Sequence, residues 1–126
     1  MRPVTTTLTE QELEIMKIVW ERGDSTVRDV YETLLEKRKV AYTTVMTMMK
    51  ILEQKGHLKR AGGEKAYIYT PTKPKQQVIG NMVKDFVERV FNGSAEPLVM
   101  HLVEAEHLSE TECKEIEKLL RARRKS

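Results

Sequence analysis

The chain has 126 residues, with 22 Lys and Arg against 19 Asp and Glu for a net charge of +3, and a single cysteine, Cys113. That length holds one ordinary domain or two small modules. One thiol excludes an intrachain disulfide and a multi-thiolate zinc site, and no run approaches the roughly 20 apolar residues that a membrane span needs.

Met1 to Thr7 lacks the apolar stretch of a signal peptide, so no membrane insertion and a cytoplasmic location are expected. The first helix begins at the capping box Thr9-Glu10-Gln11-Glu12, with Leu8 and Leu13 placed as a hydrophobic staple. It is expected to bury Leu13, Met16 and Trp20 on one side, with Ile15 and Val19 adjoining, and to end at Arg22-Gly23. Ser25 is the expected cap of a second helix reaching about Lys37, whose Val27, Val30, Tyr31, Leu34 and Leu35 form one apolar stripe.

After the turn Arg38-Lys39-Val40-Ala41, a third helix covers Tyr42 to about Lys55. Val45, Met48, Met49 and Leu52 repeat at helical spacing, and Gly56 stops it. At 100° per residue, Thr43, Thr47, Lys50 and Gln54 fall opposite that stripe. The period then changes to two. Leu58-Lys59-Arg60 and Ala66 to Thr70 are the arms of a hairpin whose glycine-rich loop runs from Ala61 to Lys65.

Pro71 and Pro74 separate the two expected modules, residues 1–73 and 74–126. A long helix from Lys75 to Phe91 carries Val78, Ile79, Met82, Val83, Phe86, Val87, Val90 and Phe91. That stripe is too wide for one neighbour. A short helix with Leu98, Val99, Leu102 and Val103 follows the break at Asn92-Gly93-Ser94. The last helix starts at a second capping box, Ser109 to Glu112, is expected to bury Ile116, Leu119 and Leu120, and ends in Arg121, Arg123, Arg124 and Lys125. A module of about 50 residues is marginal alone. Val78, Ile79, Met82, Val83, Phe86, Val90, Leu98, Leu102, Ile116, Leu119 and Leu120 are therefore expected to meet a second copy across a two-fold axis.

Charge indicates the partner of the first module. Residues 1–36 carry four cations and eight anions, 37–73 carry nine and two, and 74–126 carry nine of each. A clustered basic excess is the footprint of a polyanion. Three short helices and a basic hairpin make a winged helix-turn-helix in a mainly α chain. In such folds the third helix enters the major groove of double-stranded DNA. The expected contacts are Tyr42, Thr43, Thr44, Thr47, Lys50 and Gln54 on that helix, with Arg60 and Lys65 as wing cations on phosphates. A winged helix that docks an acidic protein, without specific DNA readout, is the alternative.

His57, His101 and His107 share no ligand spacing, so neither metal nor cofactor is expected. No Ser or Cys has an identifiable His partner, and no phosphate-binding glycine loop opens a helix, so the chain does not read as an enzyme.

The run Ala41-Tyr42-Thr43-Thr44-Val45-Met46-Thr47, with Leu52 to Gly56, Ala66 to Tyr69, Glu88 to Gly93 and Leu98 to Glu104, resembles the BlaI/MecI-type penicillinase repressors. The resemblance implies a homodimeric repressor that binds palindromic operators with TACA and TGTA elements, often at β-lactamase or related genes. It also implies a membrane sensor-protease pathway that triggers cleavage between an Asn and a Phe. The matching pair here is His101-Leu102, so no cleavage site is carried over. Copper-responsive relatives carry C-terminal cysteine pairs, which Cys113 alone does not supply.

Overall fold

The computed structural model describes residues 7–62 and 66–124. The hairpin tip from Gly63 to Lys65 and the terminal Lys125 lie outside them. The described elements are α1 (Glu10–Arg22), α2 (Val27–Leu35), α3 (Tyr42–Gln54), β1 (Leu58–Ala61), β2 (Ile68–Pro71), α4 (Lys75–Phe91), α5 (Glu96–Glu104) and α6 (Glu110–Arg124). Two compact units divide inside α4, between Asn81 and Met82. Among the described residues no helix is long and apolar enough to cross a membrane.

In the first unit, α1 starts as its sequence predicts. The Thr9 hydroxyl accepts from the Glu12 amide at 3.2 Å and the Glu12 carboxylate accepts from the Thr9 amide at 2.9 Å. Such a cap stabilises a helix by about 1 kcal/mol. The buried face differs from the expected one. Glu12, Ile15, Met16, Ile18 and Val19 are buried, whereas Leu13 and Trp20 are half-buried. The indole is held at the edge because its Nε1 donates to the Lys73 carbonyl oxygen at 3.1 Å.

Thr26 caps α2, in a reciprocal box with Asp29. Ser25 is not the cap. It lies buried in an antiparallel bridge with Tyr69, exchanging backbone bonds of 3.0 and 2.8 Å, and so extends the hairpin by a third short edge. α2 is also shorter than expected. It ends at Leu35, which is exposed, while Val30 and Leu34 carry its inward stripe.

α3 buries Val45, Met49 and Leu52. The hairpin is antiparallel with Leu58 opposite Pro71, Lys59 opposite Thr70, Arg60 opposite Tyr69 and Ala61 opposite Ile68. Leu58 and Tyr69 turn inward against the three helices to close the core. Each fully buried large apolar side chain stabilises by roughly 1.5–3 kcal/mol. Gly56, at φ +87°, makes the turn from α3 into β1, where a Cβ would be strained.

The second unit is built differently. None of its described residues from Met82 to Arg124 is buried. Phe86 packs edge-on against Phe91 at 5.8 Å, and Phe91 lies 6.3 Å from the His101 ring. The Ser109–Glu112 box closes the start of α6 with bonds of 2.9 and 3.1 Å.

Candidate nucleic-acid interface

α3 is positioned by its core stripe, which fixes the opposite face outward. Tyr42, Thr43, Thr44, Thr47, Lys50 and Gln54 are all exposed on it. The hydroxyls can donate or accept, the threonine methyls suit a thymine methyl, and Lys50 suits guanine or phosphate. α1, α2 and α6 close their first turns with capping boxes, whereas α3 opens on Ala41 with no side-chain cap. Uncapped first-turn amides favour an anion.

Two residues that the sequence did not single out join this face. Gln11 of α1 lines a shallow groove of about 290 Å³ with Thr43, Thr44, Thr47 and Met48. Arg28, in the first turn of α2, holds its guanidinium 5.9 Å from the Tyr42 ring centre, and Tyr42 meets Tyr31 edge-on at 5.4 Å. Arg28 thus adds a cation at the start of the recognition helix. A weak signal for it exists in the sequence, since the first helix of a helix-turn-helix crosses the DNA backbone. For Gln11 there is none, because its place depends on how α1 crosses α3.

The wing carries a fixed cation. Arg60 lies 4.1 Å over the Tyr67 ring centre and 3.5 Å from Glu53 Oε2 on α3. Stacking and ion pairing restrain the guanidinium, whose planar fork of donors suits a phosphate. Tyr67 is 51% exposed under Arg60, whereas Tyr69, at 2%, is buried in the core. Burial chiefly, and the nearby Glu53 charge next, raise the Tyr69 hydroxyl pKa above its ordinary value, with Arg60 opposing them. Lys59 lies on the opposite strand face from Arg60. The second expected wing cation, Lys65, lies outside the described residues.

Not every cation of the 37–73 cluster faces outward unpaired. Lys55 Nζ donates to Glu12 Oε1 at 2.7 Å and to the Thr7 carbonyl at 3.3 Å, in a pair 15% and 5% exposed. Burial pushes the Glu12 carboxyl up, but the bonds from Lys55 and Thr9 and the Lys55 charge outweigh it and hold the carboxyl low. Arg38 Nη2 donates to Glu14 Oε1 at 2.8 Å, which keeps Glu14 low as well. These two pairs bind α1 to the end of α3 and to the turn before it, and so orient the recognition helix.

Comparison with known proteins agrees with this arrangement. Residues 8–122 match the penicillinase repressor family. The chain belongs to that family. It is 26% identical over 113 residues to the penicillinase repressor of Bacillus licheniformis, covering 90% of this chain and 88% of that one. It is 33% identical over 101 residues to the transcriptional regulator BlaI of Mycobacterium tuberculosis, covering 79% and 73%. The solution structure of the DNA-binding domain of the repressor BlaI superposes with a TM-score of 0.52 at 25% identity, over 60% of this chain and 90% of that domain. The fold of the first unit is thus a winged helix. The family is one of transcriptional repressors, not of enzymes. Among the described residues no group of His, Cys, Asp and Glu is placed to hold a metal ion.

Proposed function

We propose that this DNA-binding repressor acts in the cytoplasm as a homodimer on a palindromic operator, each copy placing α3 in a major groove about 34 Å from the other. Repression is by occlusion and needs no chemistry from the protein. The observation that carries the DNA face is α3 itself, whose exposed Thr43, Thr47, Lys50 and Gln54 lie opposite the buried Val45, Met49 and Leu52; Met48, expected in that stripe, is half-buried beside the threonines. Tyr42, Thr44, Arg28 and the wing cations Arg60 and Lys65 take phosphates, and Gln11 extends the base-reading face.

The homodimer is supported by the second unit. Val83, Phe86, Val90, Ile116, Leu119 and Leu120 are exposed, Leu119 by 70%. Met82, Leu98 and Leu102 are half-buried beside them. Val78 and Ile79 belong to the first unit, where Val78 is 4% exposed, so we leave them out of the partner surface. A second copy of the same surface is the occupant that a two-fold axis supplies. The regulated gene is of the β-lactamase or related class, and a membrane sensor-protease pathway stands upstream. Cleavage is not assigned, because His101-Leu102 of α5 stands where the family pair is Asn-Phe.

Binding titrations on a duplex with TACA and TGTA half-sites and on a scrambled duplex, each at two salt concentrations, test the reading. Thr43→Ala and Thr47→Ala lose roughly tenfold or more on the operator, about 1–3 kcal/mol, and little on scrambled DNA. Arg60→Ala weakens both alike and flattens the salt dependence. Equal losses on both duplexes for the threonine variants would refute base readout by α3.

A further inference from the structure

The first unit has a second basic site that the DNA face does not use. Lys17, Trp20 and Glu21 of α1, Lys37 after α2, and Lys73 and Lys75 after the hairpin line an open groove of about 810 Å³. Pro71 at the end of β2 and Pro74 just before α4 form part of its wall. None of the residues assigned to DNA lines it.

Charge in the groove is one-sided. Four lysines face one carboxylate, and none of the four is in an ion pair among the described residues. Lys17 and Lys37 also border a second groove that holds Glu10 and Glu14, so the acids nearby offset part of their charge. Glu14 feels Lys37 but is already bonded to Arg38, and Glu21 has no ion pair among the described residues. Four lysines against one carboxylate leave the groove with an excess of positive charge, which an anion offsets. The groove also has an aromatic element fixed in place. The indole of Trp20 has its only donor engaged by the Lys73 carbonyl, so what remains for a ligand is its ring.

We propose that this groove binds a small organic polyanion, carrying two or more phosphate or carboxylate groups on a planar or apolar body. The lysines take the charged groups and the body lies against Trp20. The groove is distinct from the DNA face, so the proposal stands whether or not the DNA contacts assigned above are correct.

Trp20 is the only tryptophan of the chain, so its emission reports on the groove directly. The full-length protein is titrated with ATP, as a planar polyanion, and with inorganic pyrophosphate, as charge alone, at constant ionic strength set with potassium chloride. ATP is expected to give a saturable change in emission at a lower midpoint than pyrophosphate. The double variant Lys37→Gln, Lys73→Gln, at positions exposed to solvent, should raise the ATP midpoint about tenfold, a change of about 1.4 kcal/mol, and leave the melting temperature unchanged. No saturable change, or a change reproduced by potassium chloride alone, overturns the proposal. So does a loss of affinity for scrambled DNA in the double variant as large as that of Lys50→Ala, which would assign the groove to DNA phosphates.

Discussion

The two units have similar fractions of apolar residues and treat them in opposite ways. In the first, Ile15, Met16, Val19, Val30, Leu34, Val45, Met49, Leu52, Leu58 and Tyr69 close over one another within one chain. In the second, Val83, Phe86, Val90, Val99, Met100, Val103, Leu119 and Leu120 stay exposed. α4, α5 and α6 are formed and, for α6, capped, so the difference is not one of helix formation. It lies in the number of surfaces available. Three helices and a hairpin surround a centre, whereas the double-width stripe of α4 has more apolar area than its own unit covers. A unit of the first kind holds its own stability; in the homodimer proposed above, one of the second kind would draw it from association.

This contrast can be broken or sharpened by experiment. The largest effect is expected from Leu52→Ala, which opens a cavity in the closed core and costs about 2–5 kcal/mol in urea unfolding. Next comes Glu12→Gln, which strands the nearly buried Lys55 charge. We expect a loss of about 2 kcal/mol, less than for a fully enclosed pair, together with weaker operator binding through α3. The carboxyl of Glu12 is held below its ordinary value of 4.5. Its contribution is therefore complete above that value and lost as pH falls through the lower folded one. The variant should show a flatter acid limb, and an unchanged acid limb would contradict the role of the pair.

Leu119→Glu tests the second unit. Sedimentation should show a monomer at micromolar concentration, and operator affinity should fall at least tenfold, about 1.4 kcal/mol. A variant that stays dimeric would break the comparison. The smallest effects are those of the caps. Thr26→Ala should cost about 1 kcal/mol and Ser109→Ala about 0.5 kcal/mol in thermal unfolding, since the second cap is exposed.

Features whose causes are local were legible in the sequence. The boxes at Thr9 and Ser109, the start and end of α4, and the outward face of α3 all follow from residues within one or two turns. The cap of α2 was misplaced by one residue because Ser25 and Thr26 both carry hydroxyls. Asp29, three residues after Thr26, was the signal that separates them, as an Asp in the position the box usually gives to Glu or Gln. The basic cluster was visible as a count, but its partial neutralisation was not. Arg38 meets Glu14 across 24 residues and Lys55 meets Glu12 across 43, distances over which only the packing of helices decides. Gln11 escaped for the same reason, whereas Arg28 carried the weak signal of its place on the first helix of the helix-turn-helix. Tyr67, two residues before the buried Tyr69, stays at the surface under the stacked Arg60.

The bridge between Ser25 and Tyr69 ties the residue just before the α2 cap to the strand that returns from the wing. Because each amide hydrogen of this pair is held by the other residue's carbonyl, neither can exchange with solvent unless the base of the hairpin and the start of α2 separate together. In hydrogen-exchange terms the two amides should report a common opening event. A mutation that loosens the wing at this point would then also free the start of the helix-turn-helix.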